Sequence, residues 1–554
     1  MRQTTIIRII KAWAWWWLPV CVGVVLRLAN LPQQMLGDDE LHVIRIITGE
    51  SIAWILTHYS ATDYGLPLAL FFKGWMVLSW PLTEMTLRLP MLVSGLLFLA
   101  GMPLIIRRLA GASVAGWFIW LLAIAPSLVF YSRIVRTYMP VTLLAYGAVW
   151  CFYFWLIEGR RRWAMGYVLL AALAVYWHLV AFPFVLAPLF FAVGRKWLAP
   201  NVVMISWSQL LFLGVMAGGV IFLFQLPALP SLMALSASKQ GVGTIEWVTL
   251  QENLYLQAGS RWPLLVSLFW LLAAGGWVYL YRLRPEVAGF TVCLGLSHLV
   301  GLGLLAPYGL EVPHIFGRYI LLILPLFLLW VACGLVGFSV AFAPRGLRGW
   351  GMAAAAILLV LLFLSGPFTR ASFWQTTLTH HNDFMRFNCE LPTFVRENVP
   401  VFYQELAQQP ADSVTLLEYP WDWTWHYGHI NLAYQLFHQQ TVIGSASNIP
   451  FVADSRLSLQ SLIPPAPDRF EQSSARYLVV HRDWLAEEMR LENNPCLGLP
   501  LEATDSRGRD PRWLTWRTSA QEMAHQLEQL WGQPTYADEW LLVWDLDLIR
   551  DQGK

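Results

Sequence analysis

The sequence predicts a polytopic α-helical membrane protein of about eleven transmembrane helices, followed by a soluble, extracytoplasmic α/β domain. Three observations predict it. Of 554 residues, 57% are hydrophobic and only 13% charged, whereas soluble domains carry about 25% charged residues. Charge is also split along the chain. Residues 1–369 hold 23 Lys and Arg against 11 Asp and Glu, a balance of +12, and residues 370–554 hold 14 against 24, a balance of −10. Finally, the first part is built from apolar runs of about 18–22 residues, the length a helix needs to cross a bilayer, and the second is not. The boundaries that follow are 1–369 for the membrane domain and 370–554 for the soluble domain, long enough for its own core.

The spans run near 10–28, 86–106, 113–131, 137–157, 163–177, 178–194, 208–226, 263–282, 286–306, 314–340 and 349–368. The apolar block 163–194 divides at "YWH" (176–178). The first run follows a basic start, "MRQTTIIRIIK", but is long and lacks a small-x-small cleavage site, so it reads as a retained span and not a signal peptide. The run 64–82 holds Lys73 and a proline at each end. Basic clusters decide its fate: Arg2/Arg8/Lys11, Arg107/Arg108, Arg160/Arg161/Arg162, Arg195/Lys196, Arg282/Arg284 and Arg345/Arg348 all fall on the cytoplasmic side only if 64–82 does not cross. It is therefore expected to be interfacial or re-entrant within a first outer loop, 29–85. The N-terminus is cytoplasmic and the C-terminal domain extracytoplasmic, as in a bacterial inner (plasma) membrane.

With that parity, the first loop, the turn "YSRIVRTYM" (131–139), the loop 227–262 and "APYGLEVPH" (306–314) share the outer face. Asp38, Asp39, Glu40, Glu50 and Asp63 crowd into the first loop. Charges near hydrocarbon cost on the order of 2.5–3.5 kcal/mol each, which suggests a function. A solvated loop that simply avoids the membrane accounts for the same pattern.

Four stretches then carry a resemblance. "GDDE" (37–40) follows the first span; "HYSATDYGLPLALFFKGW" (58–75), "TEMTLRLPMLVSGLLFLAGMPLIIRRLAG" (83–111) and "IAPSLVFYSRIVRTYMPVTLLAYGA" (124–148) follow in order, and "FGRYILLILPLF" (316–327) adds a fifth. Together they resemble the GT-C membrane glycosyltransferases, in the branch of the protein O-mannosyltransferases, the lipid A aminoarabinose transferase and the rhizobial core-sugar transferases. Leu66-Pro67 stands where the family usually has Pro-Pro, and Tyr138 where some members place a second acid.

The resemblance implies a polyprenyl-phosphate sugar donor attacked outside the cytoplasm by a glycan, lipid or protein acceptor. Such a reaction needs a base for the acceptor hydroxyl and cations for the phosphate. Asp39 aligns with the family's acidic pair and is the expected base, with Asp38 as the substitute. Glu40 is expected to orient a neighbour or cap the following helix. From the residues alone, Asp38 or Asp39 is equally an N-cap of the helical pattern in "DDELHVIRIITGESIAWIL". Arg133 and Arg136 are the expected phosphate ligands, since guanidinium suits phosphate, followed by Arg318; snorkelling to lipid headgroups is the plain alternative for the first two. Asp63, His58 and Tyr138 are candidates for substrate binding. Asp38, Asp39 and Asp63 are hard oxygen ligands of the kind Mg²⁺ or Mn²⁺ accepts, and the resemblance leaves metal dependence open.

In the acidic domain, strands are expected at 412–419, 475–481 and 540–549, and helices in "LPTFVRENVPVFYQELAQQ" and "SAQEMAHQLEQLW". Trp421, Trp423, Trp425 and Tyr427 form either a sugar-stacking patch or core, and His426 and His429 are more readily part of it than a metal site. Cys389 and Cys496 are the pair an oxidising compartment would join. No nucleic-acid motif is present. Other readings are an oligosaccharide ligase or polymerase, a transporter or flippase, which would place charges in mid-span, and a non-catalytic envelope-assembly scaffold.

Overall fold

The computed structural model describes residues 16–29, 31, 40, 43, 46–47, 50–59, 65–80, 84–198, 205–239, 245–305, 307, 310–311, 313–341, 348–369, 373, 399–410, 413–419, 434, 438, 440–443, 470–471, 473–482 and 511–551. The chain divides into two compact units. The first is Met1–Leu31, Ala53–Phe72 and Met85–Thr369, and the second is Pro32–Ile52, Lys73–Glu84 and Arg370–Lys554.

The helices in chain order are α1 (Trp16–Leu28), α2 (Ile52–Thr57), α3 (Leu66–Val77), α4 (Glu84–Ala110), α5 (Ala112–Ile124), α6 (Pro126–Tyr131), α7 (Tyr138–Glu158), α8 (Arg161–Trp177) and α9 (Phe182–Leu198). There follow α10 (Trp207–Gln225), α11 (Leu229–Lys239), α12 (Trp247–Ala258), α13 (Pro263–Leu283), α14 (Pro285–Leu305), α15 (Pro313–Tyr319), α16 (Leu324–Ala341) and α17 (Arg348–Ser365). Seven stretches among the described residues are long and apolar enough to cross a bilayer: Met85–Ala110, Tyr138–Glu158, Leu179–Leu198, Trp207–Leu235, Pro263–Leu283, Pro285–Leu305 and Ile315–Ala341. This is a multi-pass helical membrane protein. Shorter helices occupy the remaining expected spans: α1, α5 with α6, α8 and α17. Helix α3 has 12 residues, about 18 Å at 1.5 Å per residue, against a hydrocarbon core of about 30 Å.

Burial sorts these helices. The Ile315–Ala341 span is 83% buried and Tyr138–Glu158 is 72% buried, whereas Trp207–Leu235 is 28% buried. The first two form the centre of the unit. Helices α13 and α16 meet at glycines: a methyl on Gly276 would overlap the Trp330 carbonyl oxygen, and one on Gly334 the Leu272 carbonyl oxygen. Small residues let membrane helices approach this closely.

Ion pairs fix which helix ends lie together. Arg108 Nη2 meets Glu158 Oε1 at 2.5 Å, and Arg160 meets the same carboxylate at 3.4 Å. The Arg107 guanidinium lies 5.9 Å from the Trp16 ring at the start of α1. Arg195 pairs with Glu286. At the other end of α1, Arg133 Nη1 donates to the carbonyls of Leu26 (3.3 Å) and Ala29 (2.6 Å), satisfying terminal acceptors a helix otherwise leaves open.

In the second unit, described helices and strands are α18 (Val401–Leu406), β1 (Thr415–Tyr419), β2 (Thr441–Ile443), β3 (Tyr477–His481), α19 (Pro511–Trp531), β4 (Tyr536–Ala537), β5 (Leu541–Asp545) and α20 (Leu546–Asp551). The sheet order is β2-β1-β3-β5-β4, with β1 parallel to β2 and β3, and β5 antiparallel to β3 and β4. Leu417, Leu478, Val480, Leu542 and Trp544 pack with Met523 and Leu527 of α19 into one core. The expected strand 540–549 ends early. Asp545 Oδ1 accepts from the backbone N–H groups of Asp547 (3.0 Å) and Leu548 (3.3 Å), an N-cap that turns 546–551 into helix. The aromatic patch 421–427, His426, His429, Cys389 and Cys496 lie outside the described residues.

Candidate active site

The turn between α6 and α7 is the most unusual polar feature of the first unit. Every residue from Tyr131 to Tyr138 is buried, including Ser132, Arg133, Arg136 and Thr137. Alanine-proline starts α6 and Ser132 ends it, its N–H donating to Leu128 and Val129 carbonyls. The next helix begins only at Tyr138. Two arginines are thus carried on irregular backbone inside an apolar bundle, tolerated at membrane depth only where protein or a lined cavity satisfies it.

Two further arginines, absent from the sequence-based set, are buried beside it. Arg27, 1% exposed, donates through Nε to Ser132 Oγ (3.2 Å) and through Nη1 and Nη2 to the carbonyls of Gly23 (3.0 Å) and Leu122 (3.4 Å). Arg88 Nη1 donates to the Leu31 carbonyl at 3.3 Å. Methyl groups on Gly23 and Gly95 would collide with Leu99 and Ser132, so glycine makes room for this cluster.

An aromatic relay leads from the turn to α15. The rings of Tyr131 and Tyr138 lie 5.0 Å apart, Tyr138 and His178 5.6 Å, and His178 and Tyr319 6.4 Å. His178 interrupts the helix after Trp177. Its Nδ1 accepts from the Val180 N–H at 3.1 Å, which leaves the ring proton of a neutral imidazole on Nε2. The Arg136 guanidinium lies close enough to act on the His178 ring electrostatically. From the far side, His298 Nε2 meets the Tyr319 carbonyl at 2.7 Å. Arg136 and Tyr138 are therefore brought together with the "FGRY" segment that carries Arg318, through a histidine that sequence reasoning missed. The signal was available: a His at the break of a long apolar block.

The other expected residues fare differently. His58 is exposed, stacked on Trp54 at 4.6 Å, with Nδ1 2.8 Å from Thr57 Oγ1. Its neighbour Tyr59 points inward instead, donating through its hydroxyl to Gln225 and through its N–H to Ser231 Oγ at 2.8 Å. Glu40 is fully buried and belongs to the second unit. Asp38, Asp39 and Asp63 lie outside the described residues, and with them the expected base and the expected metal ligands. Among the described residues no group of three or more His, Cys, Asp or Glu is placed to hold a metal ion.

At the level of sequence, no protein-family model and no curated protein matches the chain. At the level of structure it is similar to ArnT from Cupriavidus metallidurans, in the apo state (14% identity, 85% of this chain and 93% of that one, TM-score 0.50). It is similar also to the same protein bound to undecaprenyl phosphate (14% identity, 85% and 94%, TM-score 0.51). The oligosaccharyltransferase of Archaeoglobus fulgidus aligns at 15% identity over 87% of this chain and 70% of that one, with TM-score 0.45. The likeness is one of fold: the chain has the GT-C fold of membrane glycosyltransferases over most of its length.

Proposed function

We propose that this protein is a glycosyltransferase that moves a sugar from a polyprenyl-phosphate donor to an extracytoplasmic glycan, lipid or protein acceptor. The observation that carries the reading is the meeting of two motifs far apart in sequence. The buried turn with Arg133 and Arg136 touches, through Tyr138 and His178, the segment bearing Arg318 and Tyr319. Buried guanidinium groups in a membrane bundle are costly unless an anion or dense hydrogen bonding compensates them, and a lipid phosphate is the anion a membrane supplies. The similar ArnT structure holds undecaprenyl phosphate, which favours the same lipid class here.

In this reading Arg136 and Arg318 face the donor phosphate. Arg133, whose Nη1 caps α1, fixes the turn. Asp39 takes the acceptor proton, with Asp38 as its substitute and Glu40 orienting the acidic segment, and Asp63 binds the acceptor. Eleven crossings put the acidic loop and the C-terminal domain outside. The ion pairs that draw the basic clusters Arg107/Arg108 and Arg160 to one end of the bundle favour this topology.

The test uses full-length protein in nanodiscs, a panel of polyprenyl-phosphate sugars and envelope extract, reading released polyprenyl phosphate. Release that Asp39→Asn abolishes is expected. No release from any donor, or equal release by the variant, removes the transferase reading and brings transport or scaffolding forward.

A further inference from the structure

Helix α12 is turned inside out. Its outward face carries exposed Trp247, Val248, Leu250 and Leu254, while Thr249, Asn253 and Gln257 are buried. Those three stand four residues apart and so form one stripe along the helix. The polar stripe thus faces the protein interior, and the apolar face is outward.

The first two members of the stripe have structural partners. Thr249 Oγ1 donates to the Glu311 carbonyl. Asn253 Nδ2 donates to the carbonyls of Thr249 (2.8 Å) and Pro313 (2.9 Å), and its Oδ1 sits where a methyl on Gly317 would collide with it. Asn253 thus fixes the start of α15, the helix that carries Arg318. Gln257 is different. It is 4% exposed, and neither Nε2 nor Oε1 has a hydrogen-bond partner among the described residues. Ser127 Oγ, on α6, is equally buried and without a partner among them. The two elements touch where Gly259 packs against Pro126, two residues from Gln257 and one from Ser127. Burying a whole carboxamide and a hydroxyl unbonded costs free energy that folding alone does not return.

We infer that Gln257, with Ser127, is a sugar-binding site for the donor, hydrogen-bonding hydroxyls of the transferred ring; the inference rests on the transferase reading above. The stripe runs along α15, which carries the proposed phosphate ligand Arg318. In a phospho-sugar lipid the first polar groups beyond the phosphate are the ring hydroxyls. A carboxamide offers a donor and an acceptor side by side, which matches neighbouring hydroxyls, and being neutral it neither competes with nor repels the phosphate.

The test compares binding of undecaprenyl phosphate with that of undecaprenyl phosphate-glucose and undecaprenyl phosphate-mannose to full-length protein in nanodiscs. The wild type is expected to bind at least one sugar lipid more tightly than the bare lipid. Gln257→Met, which keeps the shape without the hydrogen bonds, is expected to weaken that sugar lipid about tenfold and leave the bare lipid unchanged. Should Gln257→Met not fold, Ser127→Ala decides by the same comparison. The inference is overturned if the wild type shows no preference for either sugar lipid, if the variant keeps the preference, or if both lipids weaken equally. Failure to bind even undecaprenyl phosphate is the separate outcome that sinks the transferase reading, and this inference with it.

Discussion

At the scale of residues, Arg27, Arg88, Arg133 and Arg136 are all buried in the bundle. Arg27 is surrounded by acceptors of the protein itself, Ser132 Oγ and the carbonyls of Gly23 and Leu122. Hydrogen bonds from charged groups contribute about 1.5–3 kcal/mol each. Arg27→Met is therefore expected to lower the Tm by several degrees and leave affinity for undecaprenyl phosphate intact. Arg136→Gln is expected to raise the Kd for that lipid at least about tenfold. Melting and lipid-binding curves on both variants check these outcomes, and an Arg136→Gln protein of undiminished affinity removes Arg136 from the phosphate site. In the second unit, His438 is buried, stacked on Tyr403 at 5.2 Å, with Nδ1 accepting from the Gln440 N–H at 3.0 Å. Burial pushes its pKa down to about 3. Because the folded value lies below the unfolded one of about 6.5, the unfolded chain binds more protons on acidification. Stability is full above pH 6.5 and lost below it, by about 2 kcal/mol at pH 5. Thermal unfolding of wild type and His438→Phe at pH 7 and 5 is the check: the variant should lose less on acidification, and an equal loss excludes His438 as its source.

At the scale of elements, the glycine contact of α13 and α16 sets how closely the bundle's central helix is held. A leucine at Gly276 must displace the Trp330 backbone, and since interiors are close-packed, the helices must separate. Gly276→Leu is expected to cut the yield of monodisperse protein and lower the Tm more than Gly275→Leu, whose added Cβ meets nothing; equal effects would mean the contact is not critical. The long helices were legible because hydropathy alone specifies them. The short strands β2 and β4, three and two residues long, were not, since so brief a run has no period and exists only by pairing with β1 and β5. The overrun of β5 has a local cause: Asp545, embedded in an apolar run, reads as part of the strand until its side chain is seen capping α20. His178 and Arg27 escaped for a related reason. Each is a single polar residue in apolar sequence, and only the rule that such residues are seldom idle in a membrane could have singled them out.

At the scale of the molecule, the charge split of +12 and −10 about residue 369 separates two environments, but linear reading misses how the chain is shared between them. Segments 32–52 and 73–84, placed by sequence in the membrane half, group with the C-terminal residues in the second unit. Hydropathy reads only local sequence and carries no information on such grouping. What hydropathy and charge do predict together is handedness across the membrane. The ends of α4 and α7 are joined by the Arg108–Glu158 pair, so Arg107, Arg108 and Arg160 share one face, which the proposed topology makes cytoplasmic by the positive-inside bias. The proposed odd number of crossings predicts that the acidic domain is exported. Alkaline phosphatase, active only outside the cytoplasm, is expected to be active when fused after Lys554 and inactive when fused after Arg162. Inactivity at Lys554 would make the number of crossings even and move the acidic domain to the face where nucleotide sugars are found. Activity at Arg162 would invert the bundle and place the buried arginine turn inside, where a lipid carrier is no longer needed to deliver the sugar, and the donor class proposed for this site would have to change with it.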